Sequence, residues 1–133
     1  MLVKPKKSLG QNFLHDENII NKIINASKIS SDDQVLEVGP GTGNLTKLII
    51  SQKPKKIYVV EKDKSLAAEL EKQYYNKINV INKDILKIAN EFYSGKKFLI
   101  LGNLPYNIST KILSNWCLNN KLNVSKMILM FQK

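Results

Sequence analysis

Four short stretches of this sequence, two of them single carboxylates, have residue types suited to binding a small ligand. They are Gly39–Gly43, Glu61, Asp84 and Asn103–Tyr106. A glycine-rich segment lets the backbone approach a ligand, because no Cβ intervenes. A carboxylate can accept hydrogen bonds from both hydroxyls of a ribose. Together the segments predict a nucleoside site, although the glycines alone would also suit a tight turn between a strand and a helix.

The glycine spacing favours a nucleoside that carries no pyrophosphate. A dinucleotide-binding turn has the pattern G-x-G-x-x-G, whereas here Gly39, Gly41 and Gly43 alternate and Asn44 stands in the place of the last glycine. The Gly-Lys-Ser/Thr ending of a phosphate-binding P-loop is absent as well. These departures disfavour a nicotinamide-dependent oxidoreductase. S-adenosylmethionine is the expected ligand, and we expect Gly39 and Gly41 to contact it.

Two carboxylates are candidates to hold the nucleoside. Glu61 lies 22 residues after Gly39, at the end of the second predicted strand, where related folds bind a ribose. We expect Asp84 to accept a hydrogen bond from the exocyclic amine of the adenine. Each residue also has a simpler interpretation: Glu61 as a surface carboxylate among lysines, and Asp84 as a cap for the segment Ile85–Lys87.

The sequence Asn103-Leu104-Pro105-Tyr106 predicts the type of reaction. An amine conjugated to a purine is a poor nucleophile, because its lone pair is delocalised into the ring. The side-chain oxygen of Asn103 and the backbone carbonyl of Leu104 can accept its two N–H groups and favour a tetrahedral nitrogen. Pro105 stiffens the segment, and Tyr106 offers a flat face for a base removed from its stack. Positioning would therefore dominate methyl transfer, unless the segment is only a turn.

All four segments follow predicted strands, which places them at one edge of a sheet. Apolar runs predict strands at 35–38, 57–60, 80–81, 98–101 and 127–131. Helical stripes lie between them, with Asp16 capping a helix over 17–28 and Asp63 capping another. This alternation predicts an α/β fold with a doubly wound, mostly parallel sheet covered on both faces. Ligands bind at the carboxyl ends of the strands in such sheets.

Length and charge limit the classes of function. The 133 residues predict one domain, and 21 basic against 11 acidic residues give a net charge of +10. Such a charge favours a nucleic-acid partner, although every basic residue is lysine, as an AT-rich genome would also produce. A single cysteine and a single histidine argue against a structural metal site. No apolar run suits a membrane helix, and we expect a cytoplasmic protein.

Five segments in order resemble the small-subunit ribosomal RNA adenine-N6,N6-dimethyltransferases of the bacterial KsgA type. They are residues 7–14, 37–46, 60–63, 82–86 and 102–110. The resemblance implies a Rossmann-like class I S-adenosylmethionine-dependent methyltransferase fold. It also implies methylation of two adjacent adenosines near the 3′ end of small-subunit rRNA, in ribosome biogenesis, with the assembling small subunit as partner. Leu104 and the pair Leu9-Gly10 favour this branch over the related macrolide-resistance enzymes of large-subunit rRNA.

The resemblance also assigns roles to individual residues. It implies that Asn12 and Leu14 contact the cofactor and that Gly39 lies at its amino-acid end. Glu61 would then bind the ribose and Asp84 the adenine. Asn103 would lie where the cofactor meets the target amine.

Family members continue beyond a fifth strand. They add the last strands of a seven-stranded sheet and a C-terminal helical domain that binds RNA. The resemblance therefore implies that residues 1–133 are the catalytic portion, truncated after the fifth strand and left with an open apolar edge. We expect the full-length enzyme to be a monomer. The alternative is a truncated, non-catalytic remnant that binds cofactor or RNA without turnover.

Overall fold

The computed structural model describes residues 16–119 and 121–132, so the expected cofactor contacts of Asn12 and Leu14 lie outside the described residues. Five strands form one sheet: β1 (Gln34–Val38), β2 (Lys56–Val60), β3 (Asn79–Ile81), β4 (Lys97–Pro105) and β5 (Asn123–Gln132). The helices are α1 (Glu17–Ser27), α2 (Asn44–Ser51), α3 (Lys64–Gln73), α4 (Asn90–Tyr93) and α5 (Tyr106–Leu118), with a short 3-10 helix at Ile85–Lys87.

All strand pairs in the sheet are parallel, as the sequence predicts. The strand order is β3-β2-β1-β4-β5, so the chain reverses its direction of winding between β1 and β4. Val38, the last residue of β1, is in register with Val60 of β2 and Gly102 of β4. Because these positions are level, the segments that follow them emerge side by side. This is the position where ligands bind in open α/β sheets.

Alternate side chains of each strand pack into two separate cores, one on each face of the sheet. On one face, strand residues such as Val35 and Val59 pack against α1, α2 and α3. On the other face, Leu36 and Ile100 pack with Tyr93 of α4 and residues of α5. Burial on both faces explains why the strands read as continuous apolar runs rather than as alternating ones.

Two aspartates begin helices, as the sequence predicts. Asp16 accepts hydrogen bonds from the backbone N–H groups of Asn18 (2.9 Å) and Ile19 (3.4 Å) at the start of α1. Asp63 accepts from Ser65 (2.8 Å) and Leu66 (3.1 Å) at the start of α3. Each cap stabilises its helix by about 1 kcal/mol. The cap at Asp63 also ties α3 to the residues that directly follow β2.

β4 is longer than the sequence predicts. The sequence predicts that this strand ends at residue 101 and that Asn103–Pro105 form a loop. This prediction is wrong, since β4 continues to Pro105. The cause is β5, which begins at Asn123, four residues before its predicted start at 127, and stays in register through Pro105 and Gln132. A bulge at Ser125 accommodates one residue of β5 that has no partner in β4. The Asn103 segment is therefore part of the sheet.

Among residues 16–119 and 121–132, no helix has the length and apolar character needed to cross a membrane. The same residues contain no group of three or more histidines, cysteines or carboxylates placed to hold a metal ion.

Candidate cofactor and adenine site

Backbone hydrogen bonds hold the carboxyl ends of three neighbouring strands together. The N–H of Gly39 donates to the carbonyl of Val60 (3.0 Å), and the N–H of Glu61 donates to the carbonyl of Ile81 (3.0 Å). The side-chain amide of Asn82 donates to the Glu61 carbonyl at 2.9 Å. The first residues beyond β1, β2 and β3 thus form one continuous rim.

Gly39 lies directly against the backbone of Asn103. It has φ +68°, and a Cβ on it would lie 3.0 Å from the Asn103 carbonyl oxygen. Any other residue at position 39 would be strained and would crowd Asn103, which explains the need for glycine there. The structure therefore brings the glycine turn and the Asn103 segment together. The role of the Asn103 carboxamide as an acceptor stays a prediction.

Gly43 is required for a different reason from Gly39. It has φ +92°, and a Cβ there would lie 2.8 Å from Cδ2 of Leu70 in α3. A side chain at position 43 would therefore be strained by the backbone conformation and would displace the Leu70 side chain. The N–H of Gly41, between them, donates to Oε2 of Glu61 at 3.3 Å. One turn thus contacts β4, α3 and the residue after β2.

Glu61 is buried, with 5% of its surface exposed, so its alternative interpretation as a surface carboxylate is wrong. Its Oε1 accepts from the N–H of Asp63 at 2.9 Å, and its Oε2 accepts from the N–H of Gly41. Burial raises the pKa of Glu61, and these N–H donors oppose that rise. A carboxylate has about four acceptor positions, so Glu61 can still accept from a hydroxyl group such as that of a ribose.

Asp84 has the capping role that the sequence left as its alternative. Its Oδ1 accepts from the N–H of Leu86 at 3.0 Å, which begins the 3-10 helix Ile85–Lys87. Its Oδ2 lies 3.6 Å from Nζ of Lys62, and its side chain is 21% exposed. The cap fixes the carboxylate beside the residues that follow β2. Binding of an adenine amine by Asp84 stays a prediction.

Glu37 is a buried carboxylate that the sequence interpretation did not include among the site residues. It is 1% exposed, and Oγ1 of Thr46 donates to its Oε1 at 2.5 Å. Burial raises the pKa of Glu37 to about 8; the charge of Glu61 also raises it, and the Thr46 bond opposes the rise. Glu37 is therefore mostly protonated at neutral pH. The sequence signal is a carboxylate inside the apolar run of β1.

Leu104 and Tyr106 are described to different extents. Leu104 is 2% exposed, and its side chain belongs to the core that contains Ile112 and Trp116. Its expected contribution through the backbone carbonyl stays a prediction. Tyr106 is the first residue of α5, and its side chain lies outside the described part of the structure.

Comparison with known sequences gives consistent matches along the chain. The family model described as ribosomal RNA adenine dimethylase matches residues 3–133. A ribosomal RNA small subunit methyltransferase A of Pelagibacter ubique (strain HTCC1062) is 52% identical over 135 residues, covering 100% of this chain and 51% of that protein. Another, of Hydrogenobaculum sp. (strain Y04AAS1), is 40% identical over 132 residues, covering 99% and 51%. The chain thus spans about half the length of these curated relatives.

Comparison with solved structures supports the fold. A dimethyladenosine transferase from Plasmodium falciparum matches with a TM-score of 0.78 and 34% identity, covering 92% of this chain and 44% of that one. The 23S rRNA methyltransferase ErmE matches with a TM-score of 0.78 and 27% identity, covering 91% and 48%. These likenesses confirm the Rossmann-like methyltransferase fold expected from the sequence.

Proposed function

Because the chain belongs to the ribosomal RNA adenine dimethylase family, we propose that residues 1–133 are the catalytic portion of an S-adenosylmethionine-dependent rRNA (adenine-N6,N6)-dimethyltransferase. The observation that carries the proposal is the approach of Gly39 to Asn103, where a Cβ would lie 3.0 Å from the Asn103 carbonyl. This approach joins the candidate cofactor turn to the candidate amine-binding segment. The approach follows from the register of β1 and β4, in which Val38 is level with Gly102.

The rim residues fit an adenosine-containing cofactor. The turn has no side chain at Gly39 or Gly41, so its backbone is open to the amino-acid end of the ligand. Glu61, held by two N–H groups, would accept from the ribose hydroxyls. Asp84, held by its cap, would accept from the adenine amine. S-adenosylmethionine, when bound, supplies a methyl group activated by a positively charged sulfur.

The chain's own contribution to the chemistry is to position the target amine. The Asn103 carboxamide oxygen and the Leu104 carbonyl would accept the two N6–H groups, which localises the nitrogen lone pair. Tyr106 would stack on the flipped adenine. No side chain needs to remove a proton before the attack, since the nitrogen becomes acidic only after it gains the methyl group. Orientation of this kind can contribute about 7–11 kcal/mol in well-aligned systems.

The proposed substrate is a pair of adjacent adenosines near the 3′ end of small-subunit rRNA, methylated during subunit assembly in the cytoplasm. Identity of 52% and 40% to two proteins named small subunit methyltransferase A supports this choice. The 23S rRNA methyltransferase ErmE has 27% identity, which makes large-subunit rRNA the less supported substrate. The net charge of +10 suits either RNA.

The proposal is tested by incubating the chain with methyl-labelled S-adenosylmethionine and small ribosomal subunits that lack the modification. We expect N6,N6-dimethyladenosine in nuclease digests analysed by mass spectrometry. Large subunits serve as the specificity control, and a full-length relative shows that the substrate is competent. Failure to bind S-adenosylhomocysteine in calorimetry, together with an absence of product, would reject the proposal.

A second candidate is a remnant that binds cofactor or RNA without turnover. The observation that favours it is that the chain matches only about half of each relative. Binding of S-adenosylhomocysteine without methylation, in an assay where the full-length relative is active, would support this candidate. Product formation by the chain would exclude it.

A further inference from the structure

A groove lies at the amino ends of β2 and β3, at the opposite end of the sheet from the candidate site. It has a volume of about 420 Å³ and is lined by the two turns that lead into β2 and β3, by the first residues of these strands and by Glu71 of α3. The turn residues in the lining are Lys55, Tyr75, Asn76, Lys77 and Ile78. β2 has five residues, so the groove lies roughly 16 Å along the strand from the rim. It is too far away to belong to the cofactor site.

Three lysines give the groove a positive charge. Lys55, Lys56 and Lys77 are exposed, and among the described residues Glu71 is the one acidic residue in the lining. Within the described residues, none of these three ammonium groups forms an ion pair with a carboxylate. Nζ of Lys56 lies 5.5 Å from the ring centroid of Tyr58, which belongs to the core on the other face of the sheet, so Lys55 and Lys77 are the lysines available on the Tyr75 side. The positive charges of the lining outnumber the single negative charge of Glu71, so the groove attracts an anion.

Backbone hydrogen bonds fix the two turns that support these side chains. The N–H of Lys55 donates to the carbonyl of Asp33 at 2.9 Å, and the N–H of Lys77 donates to that of Tyr74 at 2.9 Å. The side chain of Asn79 donates to the Ile57 carbonyl at 3.0 Å, which links the two strands. The fold thus fixes the backbone positions from which these lysine side chains extend.

Tyr75 adds an aromatic surface to the positive charge. Its side chain is 74% exposed, whereas its neighbour Tyr74 packs against the core of α1, α2 and α3. A large exposed aromatic ring beside lysines is the combination by which proteins bind single-stranded nucleic acid, with phosphates near the lysines and a base stacked on the ring. Duplex RNA would present its phosphates but no free base face.

We propose that this groove binds a single-stranded segment of RNA, separately from the candidate catalytic rim. Lys55 and Lys77 contact phosphates, and Tyr75 stacks on an unpaired base. The inference rests on the proposed function, since it assigns the second contact to the same rRNA substrate. A long RNA can reach both ends of the sheet, whereas a free nucleotide or the cofactor cannot.

The lysines could instead stabilise the fold, and the test must distinguish this role from RNA binding. α2 and α3 end near the groove, and cations stabilise the negative carboxyl ends of helices. On that explanation, removing the lysines lowers the melting temperature and leaves RNA binding unchanged. On ours, it changes the salt dependence of RNA binding.

The test compares two double variants of the chain that lose the same charge. Lys55→Gln/Lys77→Gln removes two groove lysines, and Lys22→Gln/Lys47→Gln removes two exposed lysines of α1 and α2. Binding of a fluorescein-labelled, unstructured RNA of about 12 nucleotides is measured by anisotropy. The measurement covers about 50 to 200 mM KCl. The groove variant should lose about 1.4 from the slope of log K against log salt, and the control variant should keep the parent slope.

The aromatic contact is tested with Tyr75→Ala against Tyr75→Phe. The alanine variant should bind the RNA about 5-fold more weakly or worse, and the phenylalanine variant should bind like the parent. Equal slopes in the two lysine variants, no RNA binding by the parent, or equal binding of a duplex or of polyglutamate would each overturn the inference.

Failure of this inference is distinguishable from failure of the proposed function. Binding of S-adenosylhomocysteine and methylation of small subunits report on the rim. Salt slopes with the short RNA report on the groove. A parent chain that binds no cofactor but shows the slope difference would contradict the proposed function and retain the groove.

Discussion

The two ends of the parallel sheet differ in how they hold their polar groups. At the carboxyl end, Glu61 is buried among backbone donors and Gly39 touches the Asn103 backbone. At the amino end, Lys55 and Tyr75 stand exposed on fixed turns. The first arrangement suits a small ligand that must be enclosed, because its polar groups need partners of defined geometry. The second suits a polyanion, which is attracted at long range and keeps much of its hydration.

The largest effect is expected at the carboxyl end, from Asn103→Ala. Loss of the carboxamide should lower kcat for methylation by about 100- to 1,000-fold, because it removes an acceptor aligned with the reacting amine. S-adenosylhomocysteine affinity should change by less than about 3-fold. Asn115→Ala, an exposed asparagine of α5, is the matched control and should have no effect. Equal losses in turnover and cofactor affinity would contradict the assigned role.

The second-largest effect is expected in the pH dependence of the unfolding free energy, from the buried carboxylate of Glu37. Its pKa of about 8 in the folded protein lies above the ordinary glutamate pKa of 4.5, so the stability it contributes is fully present below pH 4.5. That stability is lost as the pH rises to about 8, by up to about 4 kcal/mol in unfolding free energy. Glu37→Gln should flatten the dependence, since Thr46 can still donate to the amide oxygen. Denaturant unfolding from acidic to alkaline pH measures this, with the exposed Glu91→Gln as control. Parallel curves for parent and Glu37→Gln would contradict it.

A third prediction separates the two ends directly. Glu61→Gln should weaken S-adenosylhomocysteine binding by about 10- to 100-fold, because a charged acceptor for the ribose is lost. It should leave the salt slope for short RNA unchanged. Lys55→Gln/Lys77→Gln should show the opposite pattern. Calorimetry and anisotropy on the same preparations make the comparison, and a variant that changes both quantities would show that the two ends are coupled.

The smallest effect is a difference between two glycines. Gly39 and Gly95 both have positive φ, +68° and +73°, but only at Gly39 does a new Cβ meet another atom. Gly39→Ala should therefore lower the unfolding free energy by about 1 kcal/mol more than Gly95→Ala does. It should also reduce methylation, since the crowded atom belongs to Asn103. Equal destabilisation by the two substitutions would show that the contact has no energetic weight.

The sequence was sufficient for the parts of the fold that depend on local patterns. Asp16 and Asp63 cap helices as predicted, because capping depends on a few neighbouring residues. The apolar runs located all five strands, because a sheet covered on both faces requires them. The lengths of β4 and β5 were missed, since each depends on pairing with the other strand. No local pattern encodes that register.

The candidate site was predictable to a similar degree. The alternation of elements predicted a parallel sheet with Gly39, Glu61 and Asp84 at the carboxyl ends of its strands, whereas the strand order comes from the structure. The bond between Glu37 and Thr46 was not foreseen, because it depends on how α2 packs on β1. Asp84 shows a second limit, since one carboxylate can cap a helix and face a ligand, and the sequence does not distinguish these roles.

The length of β5 has a mechanical consequence. β1 ends opposite Gly102, so residues 103–105 extend beyond it, and their in-register neighbours are Met130 to Gln132 of β5. β5 supplies none of the proposed reacting groups, but its pairing with β4 holds the Asn103 segment in place. Shortening β5 would therefore change the position of Asn103 without any substitution among the candidate cofactor-binding residues. If Asn103 holds the target amine as proposed, the position of that amine depends on the pairing of β4 with β5.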